Sequence, residues 1–349
     1  MKRILPLLLV CANAFAQGLA QKSDVHVLYI GWGSPKLGAL TPDNVARYEE
    51  AAPFDGILVY VGTSDVMNPK VKYDYDRHAR PQVEKYKSLP FKRYKHNFAA
   101  CLIDQNKIDW FSDEAWSVIS NNWAVTARAA RECGMDGICF DPECYGVYPV
   151  TSYWSSKYYL KTDRTHLPAD YLAAARRRGR EIGAAVFGEY PSARLFSFYL
   201  WSFKSDLMGA LCNGILDVMP ATGALIDGDE WNGYIAKNED AYKAMAKHKE
   251  DGYGMLDRKH RQKQKKQGQL AVSFYLDEYV RYGKASGASA LKLKQLFAKN
   301  LKSARRVSGG YIWIYGEKGT WWDFGAKPGQ KTWDEQLPGF REVLFGRRP

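Results

Sequence analysis

Asp136-Gly-Ile-Cys-Phe-Asp-Pro-Glu143, D-G-I-C-F-D-P-E, is the stretch on which the fold turns. It follows a segment from Ser112 to about Arg131 that carries the marks of a helix. Ser112 can cap it, Phe111 and Trp116 stand at staple spacing, and Gly134 can close it. A helix followed at once by a short apolar strand is the αβ half of a βαβ unit. Side chains alternate along such a strand, so Ile138 and Phe140 share one face while Cys139, Asp141 and Glu143 share the other. In a parallel barrel the apolar pair packs on helices, and the second set points inward with Asp141 and Glu143 at the C-terminal mouth. Carboxylates held that close raise one another's pKa. A raised carboxyl pKa is what a general acid near neutral pH requires. The plainer alternative is a D-P-E turn whose carboxylates cap neighbouring backbone.

Around this stretch, short β-rich runs alternate with helical ones. The strand candidates are 25–31, 56–61, 97–103, 137–141, 195–201, 214–219, 271–276 and 310–315, with helical segments near 42–52, 113–131, 168–187, 203–212, 229–250 and 286–306. Eight alternations in one chain predict an α/β protein built as a single-domain (β/α)8 TIM barrel over 17–349. The stretch 62–96 reads as a long loop after the second strand, of the kind that builds a substrate cleft.

The same alternation, applied to the later strands, proposes which side chains face the mouth. For 310–317 it places Trp313, Tyr315 and Glu317 inside; for 195–201, Ser197, Tyr199 and Trp201; for 214–219, Asp217 and Met219; for 271–277, Ser273, Tyr275 and Asp277. Sugar rings stack their apolar faces on aromatics and give their hydroxyls to carboxylates. Trp32 after the first strand, Tyr145 after the fourth, and Trp321 and Trp322 after the eighth extend the supply. Trp116 and Trp123, seven apart on one helix, belong to the core instead.

The N-terminus pairs Lys2 and Arg3 with an apolar run from Ile4 to Val10 and then Ala14-Phe15-Ala16. That is the pattern of a secretory signal peptide over 1–16, so the mature chain is expected to be exported, to a periplasm or beyond. No later run has the length of a membrane span. The net charge is +12, and loss of Lys2 and Arg3 leaves about +10. Part of it lies in the basic run 258–266, which has no interleaved aromatics and reads as the solvated end of a helix rather than a nucleic-acid site. A carbohydrate, with an anionic glycan as the form suited to the charge excess, is the expected partner. Cys101, Cys133, Cys139, Cys144 and Cys212 are too few and too odd in number for a disulfide framework, although one pair could form after export. The sequence has no C-x-x-C, H-E-x-x-H, G-x-S-x-G, P-loop or dinucleotide fingerprint, so neither a metal nor a cofactor is expected.

The stretch D-G-I-C-F-D-P-E is similar to the D-G-x-D-x-D-x-E signature of chitinase-like family 18 glycoside hydrolases, which are (β/α)8 barrels. Asp136, Gly137, Asp141 and Glu143 match at the right spacing. The resemblance implies that Glu143 is the proton donor and Asp141 its orienting carboxylate. Leu216-Asp217-Val218-Met219 and the strand from Gly310 to Trp313 resemble that family's sixth and eighth strands. Cys139 stands where the family has its middle aspartate, and no tyrosine follows Met219 where the family places one to hold an N-acetyl group. The wider pattern also resembles the retaining-glycosidase barrels, which pair a Glu on strand four with another on strand seven.

Together these expectations describe a secreted glycoside hydrolase, with Glu143 as general acid, Asp141 assisting, and Glu317 or Asp277 as nucleophile or base. Two alternatives stand beside it. One is a non-catalytic carbohydrate-binding barrel; the other is a lyase-type barrel acting on acidic polysaccharide.

Overall fold

Eight parallel strands close a barrel in sequence order, and the eighth returns to pair with the first. The chain is a (β/α)8 barrel. The structure, a computed structural model, describes residues 25–31, 34–63, 65–102, 107–200, 205–322, 324 and 329–346. The proposed signal segment and the two candidate residues Trp32 and Trp201 lie outside these. The strands are β1 His26–Tyr29, β2 Gly56–Val59, β3 Phe98–Leu102, β4 Gly137–Asp141, β5 Arg194–Ser197, β6 Ala224–Asp227, β7 Gly268–Tyr275 and β8 Tyr311–Tyr315. Among the helices that cover them, α1 is Val45–Ala51, α2 Arg80–Lys87, α3 Asp113–Glu132, α4 the single turn Ser156–Tyr159, α5 Pro168–Glu189 and α6 Asp206–Val218. Then follow α7 Glu230–Ile235, α8 Glu239–Gly252, α9 Arg258–Gln267, α10 Leu276–Ser286 and α11 Ala290–Val307.

The β3-α3-β4 unit forms as its sequence predicts. Ser112 Oγ accepts the Ala115 amide at 3.2 Å, and Gly134 closes the helix at φ +66°. Trp116 and Trp123 are buried in the core. Ile138 and Phe140 join the outer apolar layer between strands and helices. Cys139 joins the inner one, which fills the barrel with Leu28, Phe98, Phe196, Ile226 and Trp313. Among the described residues, Cys101, Cys133, Cys139, Cys144 and Cys212 are free thiols.

The sixth strand lies elsewhere than expected. Residues 214–219 are the end of α6 and its cap, and the strand is Ala224–Asp227. A short apolar run carries no reliable period of its own, and Gly214, its first residue, lies inside the helix. Its real office is helix packing: a methyl on Gly214 would stand 2.0 Å from the Arg176 carbonyl oxygen of α5, and one on Gly179 2.0 Å from that of Leu211. Asp217 is therefore not in the barrel mouth. It sits on the outer wall, where it accepts from Arg176 Nε at 2.9 Å, Arg180 Nε at 3.0 Å and Lys259 Nζ at 2.8 Å. These cations hold its carboxyl well below the usual range. Lys259 belongs to the basic run, which forms α9 against α6 and leads straight into β7.

Two further expectations need correction. The face assignment of β5 is inverted, because Leu195 packs outward and Phe196 inward. Both faces of a barrel strand are buried, so apolarity does not mark the outside where both neighbours are apolar. The stretch 62–96 is not all loop either. It contains a π turn, Tyr75–Ala79, that runs into α2.

At the barrel floor, His96 stacks on His26 with ring centroids 3.4 Å apart. His96 Nδ1 lies 2.9 Å from Asp136 Oδ2, and the Tyr311 hydroxyl donates to the same oxygen at 2.5 Å. Asp136, just before β4, is thus tied to the segment that leads into β3 and to β8 itself.

Candidate active site

Asp141 is the last residue of β4 and is buried, while Glu143, two residues on, is half-buried at the mouth. Asp141 Oδ1 accepts the Glu143 amide at 2.9 Å, so the D-P-E turn is indeed capped by its own aspartate. That leaves Oδ2, which the Tyr145 hydroxyl meets at 3.0 Å; the same hydroxyl also bonds Glu143 Oε2. A phenol has one proton and can donate to one partner only. The second contact is a hydrogen bond only if that carboxyl is protonated and donates to the phenol oxygen. Tyr145 thus bridges Asp141 and Glu143, and a proton shared between the two carboxyls is the arrangement that satisfies both contacts. Burial acts in the same direction. It pushes the Asp141 carboxyl up to about 7, against the Glu143 amide and helped by the Glu143 charge. Burial also raises Glu143, with the Tyr145 hydroxyl opposing.

A third carboxyl, Glu230, joins them from the start of α7, after the turn that ends β6. Burial pushes it up to about 8; Tyr234 and Tyr199 oppose this, while the Glu143 and Asp141 charges add to it. Its Oε2 is buried, and the groups that approach the carboxyl are the Tyr234 and Tyr199 hydroxyls. Local structure explains how it gets there. Asp227 Oδ1 accepts the Leu200 amide at 3.1 Å and the Asp229 amide at 3.2 Å, which turns the chain at the strand end. Asp229 takes φ +40°, a left-handed conformation uncommon outside glycine, and it directs the next residue inward. Helix α7 then lies across the mouth. Ser273 Oγ donates to the Glu230 carbonyl at 3.0 Å, and a methyl on Gly233 would stand 1.8 Å from that Oγ. Only glycine lets α7 sit this low over β7.

Sequence reasoning missed Glu230. Its signal was A-L-I-D-G-D-E, 224–230, an apolar run ending in carboxylates much like G-I-C-F-D-P-E. Placing the strand at 214–219 hid it.

Glu317 and Asp277 form a separate cluster. Asp277 Oδ2 accepts the Glu317 amide at 2.8 Å and so fixes the β8 loop, and Glu317 Oε1 accepts from the Tyr315 hydroxyl at 2.8 Å. Neither is among the charges that act most strongly on Asp141, Glu143 or Glu230. Between the clusters, Tyr234 of α7 stacks on Tyr315 at 5.8 Å and lies 4.7 Å from Tyr275.

The aromatic expectations divide sharply. Tyr145, Tyr199, Tyr275 and Tyr315 reach the mouth, and Tyr199 feels Glu230 first, then Glu143 and Asp141. Trp313, Trp321 and Trp322 do not line it. Trp313 is 0 % exposed inside the barrel, stacked on Phe198 at 4.8 Å. Trp322 packs edge-on to Tyr29, and Trp321 packs edge-on to Phe54. Their apolar area is spent on the core, so they offer no platform to a ligand. Tyr145 itself is exposed, and other exposed rings near the strand ends are Tyr60 after β2, Tyr148 in the β4 loop at 94 %, and Trp231 beside Glu230 at 63 %. Among the described residues, no group of three or more His, Cys, Asp or Glu is arranged to hold a metal ion. No described helix is long and apolar enough to cross a membrane.

No protein-family model matches this chain, and no curated protein matches it. Several solved structures are similar over nearly the whole length. One is from a study of two fungal β-1,4-galactanases, at 11 % identity and a TM-score of 0.47, covering 92 % of this chain and 99 % of that one. Another is a GH10 endoxylanase from a sugarcane soil metagenome, at 10 % identity and 0.46, covering 93 % and 98 %. A third is a glycoside hydrolase family 5 enzyme from Prevotella bryantii B14, solved with a xyloglucan oligosaccharide, at 11 % and 0.43, covering 90 % and 87 %. At such distance these likenesses carry no argument about activity, and a fold hosts many chemistries.

Proposed function

We propose that this chain is a glycoside hydrolase that cleaves a poly- or oligosaccharide by carboxylate acid/base catalysis, with Glu143 as proton donor. The observation that carries the reading is the Asp141–Tyr145–Glu143 bridge with Glu230 beside it. Three carboxyls in one poorly hydrated mouth cannot all ionise, so protons stay on the group near neutral pH. Glu143 is the least buried of the three and the one a glycosidic oxygen can reach. Asp141, held near 7, can restore its proton through the Tyr145 hydroxyl. Glu230 replaces Glu317 and Asp277 as the second carboxylate, because the Glu143 and Asp141 charges act on it directly, while Glu317 and Asp277 belong to a cluster of their own around the β8 loop. Burial pushes Glu230 up to about 8, so the reactive form, with a proton on Glu143 and a charge on Glu230, is a minor share of the mouth near pH 7; in it Glu230 activates water or attacks the anomeric carbon. Glu317 is left to hold sugar hydroxyls. Tyr60, Tyr148 and Trp231 offer exposed rings on which sugars can stack. The signal-like N-terminus supports an exported protein, periplasmic or extracellular.

Release of reducing ends from a panel of plant, algal and microbial polysaccharides tests this. Wild-type protein should release them from at least one glycan near pH 7, and Glu143→Gln should not. Binding without release would make the chain a carbohydrate-binding barrel. Release of unsaturated ends, seen as ultraviolet absorbance, would make it a lyase.

A further inference from the structure

Two cavities flank the turn α4 on the rim where the loops after β3, β4 and β5 meet. The loop that forms them is fastened to the active site at both sides of Glu143. Trp154 Nε1 donates to the Pro142 carbonyl at 2.7 Å, and the Cys144 amide donates to the Val150 carbonyl at 2.8 Å. A ligand in either cavity therefore lies on a chain segment that also positions the proposed proton donor.

The two differ in charge. The cavity of about 510 Å³ toward β3 sets Lys107 against Asp109 and Asp163. The one of about 440 Å³ toward α6 holds Lys157, Lys161 and Tyr158 with the hydroxyl side chains of Thr151 and Ser152. Its acid, Asp206, is already engaged, accepting the amides of Ser156 and Leu207 at 3.0 Å and the Ser156 hydroxyl. Asp206 also stands in the first turn of α6, where the helix amides offset its charge. Among the described residues, Lys157 and Lys161 have no ion-pair partner. Lys161 Nζ hangs 5.8 Å from the centre of the Tyr158 ring.

The geometry points to an acidic-sugar subsite: the cavity between the β4 loop and α6 takes the carboxylate or sulfate of a glycan residue near the scissile bond, through Lys157 and Lys161. Its volume suits a sugar unit. Two lysines on one wall supply point charges to an anion, and Tyr158 supplies a ring beside them. The preferred substrate is then a uronic or sulfated glycan rather than a neutral one. This assignment rests on the hydrolase reading only for which bond lies next to the subsite.

The test separates the two claims. Mature protein carrying Glu143→Gln is titrated calorimetrically with hexagalacturonate, with its uncharged methyl ester and with a sulfated dextran oligosaccharide, at low and high salt. At least one acidic probe should bind better than the ester, and salt should weaken it. Adding Lys157→Gln and Lys161→Gln should cost that acidic probe about tenfold in affinity and the ester little. On the active background the same pair should raise KM for the acidic substrate and leave kcat unchanged. Both lysines are exposed, so the melting temperature should hold. Acidic probes that bind no better than the ester, or that ignore the lysine substitutions, overturn the subsite whatever the turnover. Lysine-dependent acidic binding with no hydrolysis of any glycan would keep the subsite and remove the hydrolase.

Discussion

Asp136 enters β4 at the barrel floor, and Asp141 leaves it at the mouth. At the floor, burial would raise the carboxyl, but His96 and Tyr311 bond it and outweigh that, so Asp136 lies below its usual value. At the mouth, burial dominates and the nearest charges are carboxylates, so Asp141 lies near 7. The two ends of one strand thus hold aspartates with opposite electrostatics, and the difference is the partner set. Asp136 has a histidine and a phenol that favour its charge. Asp141 has Glu143 and, beyond it, Glu230. The first arrangement stabilises the fold; the second costs stability and keeps a proton available.

The contrast can be broken at either end. Glu230→Gln should have the largest effect: if mouth carboxylates do chemistry, turnover should fall by about 10²- to 10⁴-fold, with stability unchanged or improved. A loss of stability with normal turnover would place Glu230 with the floor residues.

Asp136→Asn comes next. Removing a charged acceptor bonded by two groups should cost about 2 kcal/mol at neutral pH, read by chemical denaturation. Its native pKa is lowered, so its contribution is present above the unfolded value near 4 and is lost as pH falls through the native one. The difference between wild type and variant should therefore shrink in acid. Activity should be nearly unaffected.

Asp141→Asn should do the reverse. A native pKa raised to about 7 means that ionisation of Asp141 penalises the fold increasingly from the unfolded value upward. The variant should gain about 1 to 2 kcal/mol at pH 8, allowing for the Tyr145 bond it weakens, and nothing near pH 4. Loss of the neighbouring charge should also shift the pH dependence of turnover toward acid. The smallest effect belongs to Tyr145→Phe. Without the bridging hydroxyl, Glu143 recovers its proton from water, and turnover should fall by about tenfold or less.

Much of β4 was legible because its two faces differ in kind, with Ile138 and Phe140 against Asp141 and Glu143, and because a well-capped helix precedes it. β6 was not legible, since Gly214 marks close packing of α5 on α6 rather than a turn, and four residues of strand at 224–227 leave little pattern. Residue type found the tyrosines of the mouth but misplaced the tryptophans. Trp313, Trp321 and Trp322 fill volume between elements that meet only in the closed barrel. Trp231, which stands in the open, gave no local sign of it. Glu230 needed the strand before it to be placed correctly.

The central claim, that Glu143 delivers the proton held at this mouth, is tested most directly by how Glu143→Gln responds to leaving group. The amide keeps the shape and a hydrogen-bond donor but has no acidic proton. On a glycan that the wild type cleaves, turnover should drop by about 10²- to 10⁴-fold, with affinity kept. On an aryl glycoside of the same sugar whose phenol leaves without protonation, most of the lost rate should return. Near wild-type turnover of Glu143→Gln on the glycan itself would contradict the account and move the proton donor to another residue.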